Sequence, residues 1–225
     1  MKEEKLSKLL NIVIENYIFK GDPIGSKFLH SLEEMDYAPS TLRKYLNNLE
    51  KSGLVYQPYN SSGRIPTIQG IAHYIDEIME QKATKDELNE IEFDLDYSRN
   101  GLRFIVETLG NLVDGVVTGF LRNDEYFFLG LNNILKNSTT EEYEMTKHLI
   151  EFIEQKKIIQ ILDEKIVKTQ KIYYTFIEDD QKVLSCLYTK ITVNNYEAII
   201  SIIGPLRVNY KKNLAILQKF LSGYH

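Results

Sequence analysis

From Pro39 to Thr67 the sequence PSTLRKYLNNLEKSGLVYQPYNSSGRIPT gathers side chains suited to a polyanion. Arg43, Lys44, Lys51 and Arg64 are cations, and Glu50 is the one anion between residues 40 and 64. Ser40, Thr41, Asn47, Asn60, Ser61 and Ser62 add hydroxyls and carboxamides. Guanidinium and ammonium groups bind phosphate oxygens or guanine edges, while carboxamides and hydroxyls hydrogen-bond to base edges or to the backbone. The chemistry of such a set is recognition rather than bond making, and it works only if these groups share a surface.

The elements that must provide that surface are legible. Between Thr41 and Lys51, Leu42, Tyr45, Leu46 and Leu49 recur at helix spacings, leaving Arg43, Lys44, Asn47, Asn48 and Lys51 largely on the other side. Ser52-Gly53 supplies a left-handed C-cap. Leu54-Val55-Tyr56 and Arg64-Ile65 then flank Pro58, Asn60, Ser61, Ser62 and Gly63, a hairpin with a small polar tip. Upstream, Leu6, Leu9, Leu10, Val13, Ile14 and Tyr17 form a helical stripe that ends before Gly21-Asp22-Pro23. A short helix follows from Gly25-Ser26 through Leu32, with Ser26 as its cap and Phe28, Leu29 and Leu32 facing inward. Three helices and a hairpin predict a winged helix-turn-helix, whose third helix enters the major groove while the wing lies along the backbone or minor groove. The expected DNA contacts are Ser26, Lys27, Ser40, Thr41, Arg43, Lys44, Asn47, Lys51, Asn60, Ser61, Ser62, Gly63 and Arg64.

Charge places a condition on this reading. The chain carries a formal net charge of −5, and residues 1–80 hold nine Lys/Arg against eleven Asp/Glu. Non-specific attraction to DNA is then weak, and most affinity is expected from two copies placed on one specific site. Dimerisation becomes part of the expected function.

Several of these residues also carry a resemblance. Pro23-Ile24-Gly25-Ser26-Lys27, Ser40-Thr41-Leu42-Arg43 with Leu49-Glu50 and Gly53-Leu54, Ser61-Ser62-Gly63-Arg64-Ile65-Pro66-Thr67, and Gly70 with Tyr74-Ile75-Asp76 resemble the heat-inducible transcription repressor family, HrcA. Ile203-Gly204-Pro205-Leu206-Arg207-Val208-Asn209-Tyr210 is similar to the family's closing IGPxRMxY motif, and Gly130-Leu131-Asn132-Asn133-Ile134-Leu135 to its G-x-x-N-x-L segment. The resemblance implies a homodimeric repressor of chaperone operons that binds an inverted-repeat operator and is supported by the GroE chaperonin.

The sequence departs from the family in three places. Lys44 stands where relatives commonly place Asn, which exchanges an adenine reader for a guanine or phosphate contact. Ala38-Pro39 replaces a capping Ser, although Pro39 suits a first helical turn and Ser40 is a cap for a later start. Leu121 passes almost directly to Tyr126, where usual members insert a helical dimerisation segment. A replacement dimer contact is offered by Leu88, Leu95, Leu102 and Leu109, spaced by seven, with Ile91, Ile105 and Leu112 in complementary positions. The same stripe also suits packing on its own C-terminal domain, and Gly101 and Gly110 weaken it as a helix.

From Val116 onward the pattern changes. Short apolar runs at 116–121, 126–131, 172–177, 183–188 and 198–203 read as strands, and 141–155, 157–164 and 210–221 as helices. The expected class is α+β: a winged helix-turn-helix over 1–80, a connecting helical segment over 81–112 and a mixed-sheet domain over 113–225. The resemblance implies a GAF-like fold for the last. Glu141-Glu142 and Glu178-Asp179-Asp180 read as helix caps and loop charges, so no catalytic pair is expected. Cys186 falls in a strand and is expected to be buried. One thiol with His30, His73, His148 and His225 offers no ligand spacing, so neither metal nor cofactor is expected. With no apolar run long enough for a membrane and no secretory leader, a cytoplasmic protein is expected. Two other classes fit the same residues: a ligand-sensing winged-helix regulator of other genes, and a winged helix used as a protein-interaction module.

Overall fold

The stripe between Leu6 and Tyr17 becomes one side of a long helix, α1 (Lys2–Lys20), on which Leu10, Val13 and Ile14 are fully buried. It belongs to the first of two units, residues 1–82 and 83–225, in a computed structural model. The structure describes residues 2–33, 35–81, 101–121, 125–134, 140–163, 165, 168–180 and 182–223.

In the first unit α1 is followed by α2 (Ser26–His30), α3 (Pro39–Lys51), a ribbon of β1 (Val55–Tyr56) and β2 (Ile65–Pro66), and α4 (Ile68–Glu80). The sequence reading did not include α4, which closes the core with Ile71, Tyr74, Ile75 and Ile78. Polar bonds lock it to α1. Ser7 and Asn11 donate to the two oxygens of Glu77, the latter at 2.8 Å, and the Tyr74 hydroxyl donates to Glu15 at 3.1 Å.

Helix α2 is shorter than expected, and its N-cap is Gly25. Ser26 is instead its first residue and is buried, so it neither caps the helix nor faces outward. Helix α3 starts at Pro39 with Ala38 as a cap that has no side-chain hydrogen bond, and Ser40 lies inside its first turn. Proline dictates this start, since its fixed φ suits N1 and its missing N–H needs no partner there. Ala38 already has cap-like extended dihedrals, φ −57° and ψ 148°. Ala38→Ser is therefore expected to stabilise the first unit by about 1 kcal/mol, read as a raised urea midpoint at unchanged slope.

In the second unit, α5 (Leu102–Gly110) leads to β3 (Val116–Leu121) and β4 (Tyr126–Leu129). Then come α6 (Leu131–Ile134), α7 (Thr140–Glu154), α8 (Lys157–Asp163), β5 (Ile172–Asp179), β6 (Lys182–Val193), β7 (Tyr196–Pro205) and α9 (Tyr210–Gly223). The sheet order is β4-β3-β7-β6-β5, and every pair is antiparallel. The expected mixed sheet is thus corrected: the one parallel pairing among the described residues is an isolated bridge, Thr169 to Lys190. Tight hairpins explain it. Asn194 and Asn195, with φ 49° and 68°, make a two-residue turn between the paired Val193 and Tyr196, and such turns join only antiparallel strands.

One sheet face, with Val116, Phe120, Leu184, Cys186 and Ile203, packs on Leu149, Phe152 and Ile153 of α7 and Ile158 and Leu162 of α8. Cys186 is 1% exposed, and burial pushes its thiol up to about 12, as expected of an inert strand cysteine. On the other face α5 settles on β3, where a Cβ on Gly119 would come within 2.6 Å of Val106 and 2.9 Å of Leu102.

That packing accounts for the described half of the leucine stripe. Leu88, Ile91 and Leu95 lie outside the described residues, but Leu102, Ile105 and Leu109 are buried in the core of their own unit. Gly101 is an extended N-cap at the start of α5, so the heptads do not run through it as one helix. These three positions pack internally and do not present a seam to a second chain.

Two segments that carried the resemblance meet at the turn after α5. The Asn133 carboxamide nitrogen lies 3.0, 3.2 and 3.1 Å from the carbonyls of Gly110, Val113 and Gly115. From the other segment, Asn209 N–H donates to Asp114 at 2.8 Å and the Tyr210 hydroxyl to Leu206 at 2.8 Å. Both segments are braces of the fold.

Candidate nucleic-acid interface

Helix α3 ends as Gly53 permits. With φ at +73°, its N–H donates to Glu50 and that of Leu54 to Leu49, each at 3.0 Å, the paired bonds of a Schellman turn. Thr67 then ties three pieces together. Its hydroxyl donates to the Gly53 carbonyl at 2.6 Å and accepts from Gly70 N–H at 3.0 Å, while its own N–H donates to Leu54 at 3.1 Å. The C-terminus of α3, the base of the ribbon and the N-terminus of α4 are thereby fixed to one another.

The ribbon is held from its other side by backbone. Ile24 and Arg64 exchange both N–H to carbonyl bonds, at 2.9 and 2.8 Å. The approach leaves no room for a side chain at Gly63, where a Cβ would lie 2.4 Å from the Ile24 carbonyl carbon and 2.6 Å from that of Pro23. Pro23–Lys27 and Ser61–Thr67, read separately in the sequence, are two halves of one contact.

The structure turns Arg64 inward. Its guanidinium donates to Glu50 at 3.0 and 2.8 Å and to the Asn47 carboxamide oxygen at 3.0 Å, and its side chain is only 12% exposed. It therefore braces the ribbon against α3. This pairing also removes the only anion of the segment from play, because Glu50 is neutralised by the same arginine.

What remains outward on α3 is a stripe. Ser40, Arg43, Lys44, Asn47 and Lys51 are all exposed and Thr41 is half-buried, while Leu42, Leu46 and Leu49 are buried beneath them. Among the described residues no ion pair engages Arg43, Lys44 or Lys51. Lys27 is exposed on α2. At the ribbon tip Asn60 and Ser61 are exposed, with Ser61 at φ 64°. Ser62 is half-buried, and its hydroxyl donates to the Tyr59 carbonyl at 2.7 Å, so it builds the turn.

Sequence reasoning missed Tyr59, which is 65% exposed at the tip beside Asn60. An aromatic at the non-pairing end of a polar turn, with no apolar partner in the strand pattern, is the signal that would have found it. Tyr56 is exposed on the same ribbon at 46%.

Comparison with known proteins bears on this arrangement. The family profile described as "HrcA protein C terminal domain" matches residues 45–214, more than half of the chain. A heat-inducible transcription repressor HrcA from Ruminiclostridium cellulolyticum is 27% identical over 172 residues, 76% of this chain and 46% of that protein. One from Thermodesulfovibrio yellowstonii is 26% identical over 226 residues, 99% of this chain and 63% of that protein. The chain thus spans between about half and just under two thirds of the length of these relatives. Among solved structures, a crystal structure of a hypothetical protein superposes with a TM-score of 0.73 at 16% identity, covering 98% of this chain and 97% of that one, which shows the shared fold.

Proposed function

The chain belongs to the HrcA family, and from that membership we propose that it is a transcription repressor of heat-shock operons whose first unit is a winged helix-turn-helix. Helix α3 is the recognition helix and the β1–β2 ribbon its wing. The observation that carries this reading is the exposed stripe Ser40, Arg43, Lys44, Asn47 and Lys51, five polar or cationic side chains on a helix whose Leu42, Leu46 and Leu49 are buried. Arg43, Lys44 and Asn47 face base edges, Lys51 and Lys27 meet phosphates, and Asn60 and Ser61 set the wing tip on the backbone. Arg64 holds the wing at its angle to α3.

Repression follows from occupying the promoter, and two copies are needed because residues 1–80 as a whole are not basic. A homodimer with two-fold symmetry reads an inverted repeat. The second unit is GAF-like and serves dimerisation and regulation, with GroE chaperonin as the modulator that the family implies.

A gel-shift titration tests the proposal. Purified protein is titrated against an inverted-repeat operator and a scrambled duplex at two salt concentrations, with and without GroE. Preference for the repeat, in binding that weakens as salt rises, supports the repressor. Equal affinity for both duplexes overturns it, and absent binding or binding indifferent to salt favours a module that binds protein.

A further inference from the structure

The sequence reading set aside Glu178-Asp179-Asp180 as loop charges and saw no partner for the histidines. The fold brings one of each together. His148 on α7 is 7% exposed, and its Nε2 has no hydrogen-bond partner. That nitrogen stands 3.3 Å from Oδ2 of Asp179, at the end of β5, within hydrogen-bond reach but not aligned for one. Asp180, in the turn between β5 and β6 with φ 47°, completes the group: one donor atom from each of His148, Asp179 and Asp180 lies within 4.8 Å of the others.

We propose that His148, Asp179 and Asp180 form a binding site for a divalent first-row metal ion of the zinc type. An imidazole nitrogen with two carboxylates is a donor set such ions take, with three protein ligands and one position left for water. Ligand atoms at tetrahedral corners about 2.0–2.1 Å from an ion are spaced about 3.3 Å apart, which is the Nε2 to Oδ2 separation found here. Two donors at that spacing that do not bond to each other are disposed to share a third atom. Burial strengthens the point, since an unpartnered ring nitrogen away from water is normally satisfied by some group.

The charges around the site favour a cation. Asp179, Asp180 and Glu151 all act on Lys157, the cation at the start of α8. Lys157 Nζ lies 3.1 and 2.8 Å from the two Asp179 oxygens and now occupies the place of the counter-ion. Its side chain is 35% exposed and can swing to solvent when an ion binds. Lys182, paired across the hairpin with Asp179, has its ammonium on the Glu144 carbonyl of α7 at 2.9 Å. Metal binding would join α7 to the β5–β6 hairpin in the regulatory unit, and it does not depend on the DNA-binding reading.

Cobalt(II) is the test probe, because its visible d–d absorption reports a low-coordinate nitrogen and oxygen site. Titration of the full chain is expected to show one Co2+ per chain, displaced by Zn2+. Affinity should fall at least tenfold in His148→Gln and in Asp180→Asn and rise in Lys157→Met. Asp180→Asn is decisive for folding, since Asn tolerates the positive φ of this exposed turn. Absence of a stoichiometric site in the wild-type chain, or binding unchanged in both His148→Gln and Asp180→Asn, overturns the proposal.

Discussion

Gly63→Ala is expected to unseat the ribbon from the first unit and cost about 3 kcal/mol of its stability. Gly63 needs space rather than unusual dihedrals. Its missing Cβ would sit 2.4 Å from the Ile24 carbonyl carbon, and the nearest atoms are all backbone, so no side chain can rotate away. Relief requires parting Ile24 from Arg64, which breaks both of their hydrogen bonds at about 1 kcal/mol each and pulls the Arg64 guanidinium from Glu50. Hydrogen exchange reads the result, with the Ile24 and Arg64 amides protected in the wild type and open in the variant. Gly25→Ala is the control. A Cβ there meets only Gly63 Cα at 4.0 Å, and its φ of −101° suits any residue, so exchange should stay as it was. Protected amides in Gly63→Ala would show that the ribbon is not seated on Pro23-Ile24. On the proposed function, the same variant also loses operator affinity, because a displaced wing no longer shares a surface with α3.

This position illustrates what the sequence can and cannot reveal. Periodicity found α3, its glycine stop and the strands of the second unit, because hydrophobic spacing and turn residues are local signals. Gly63 was legible as a turn former, but its steric role needs Pro23 and Ile24 alongside, and nothing local announces that approach. Arg64 shows the same limit. A cation beside a turn reads equally as a phosphate ligand or a brace, and only the placement of Glu50 and Asn47 on the facing helix decides the direction of the side chain. The leucine spacing suited a second chain and the chain's own domain equally, and within the described residues Leu102, Ile105 and Leu109 pack inside their unit, Leu102 against the notch at Gly119. His148 and Asp179 are far apart in sequence and meet only when α7 covers the sheet face that ends at the β5–β6 turn.

Arg43→Ala carries the largest expected effect on DNA binding, and it separates the outward cations from the inward one. Arg43 is exposed and has no ionic partner among the described residues, so stability should stay within about 0.5 kcal/mol of wild type. On the proposed function each half-site of the operator loses one guanidinium. A lost base contact is worth about 1–3 kcal/mol, so two half-sites weaken binding by at least about thirtyfold. The kind of contact can be told from salt. If both guanidiniums sit on phosphates, the slope of log affinity against log salt falls by about 1.8, and the preference for operator over scrambled duplex is kept. If they read bases, the slope holds and the preference collapses. Arg64→Ala should behave oppositely, lowering stability first through Glu50 and Asn47 and affinity only through the displaced wing. Operator affinity unchanged in Arg43→Ala would remove the role assigned to Arg43, the one arginine on that helix.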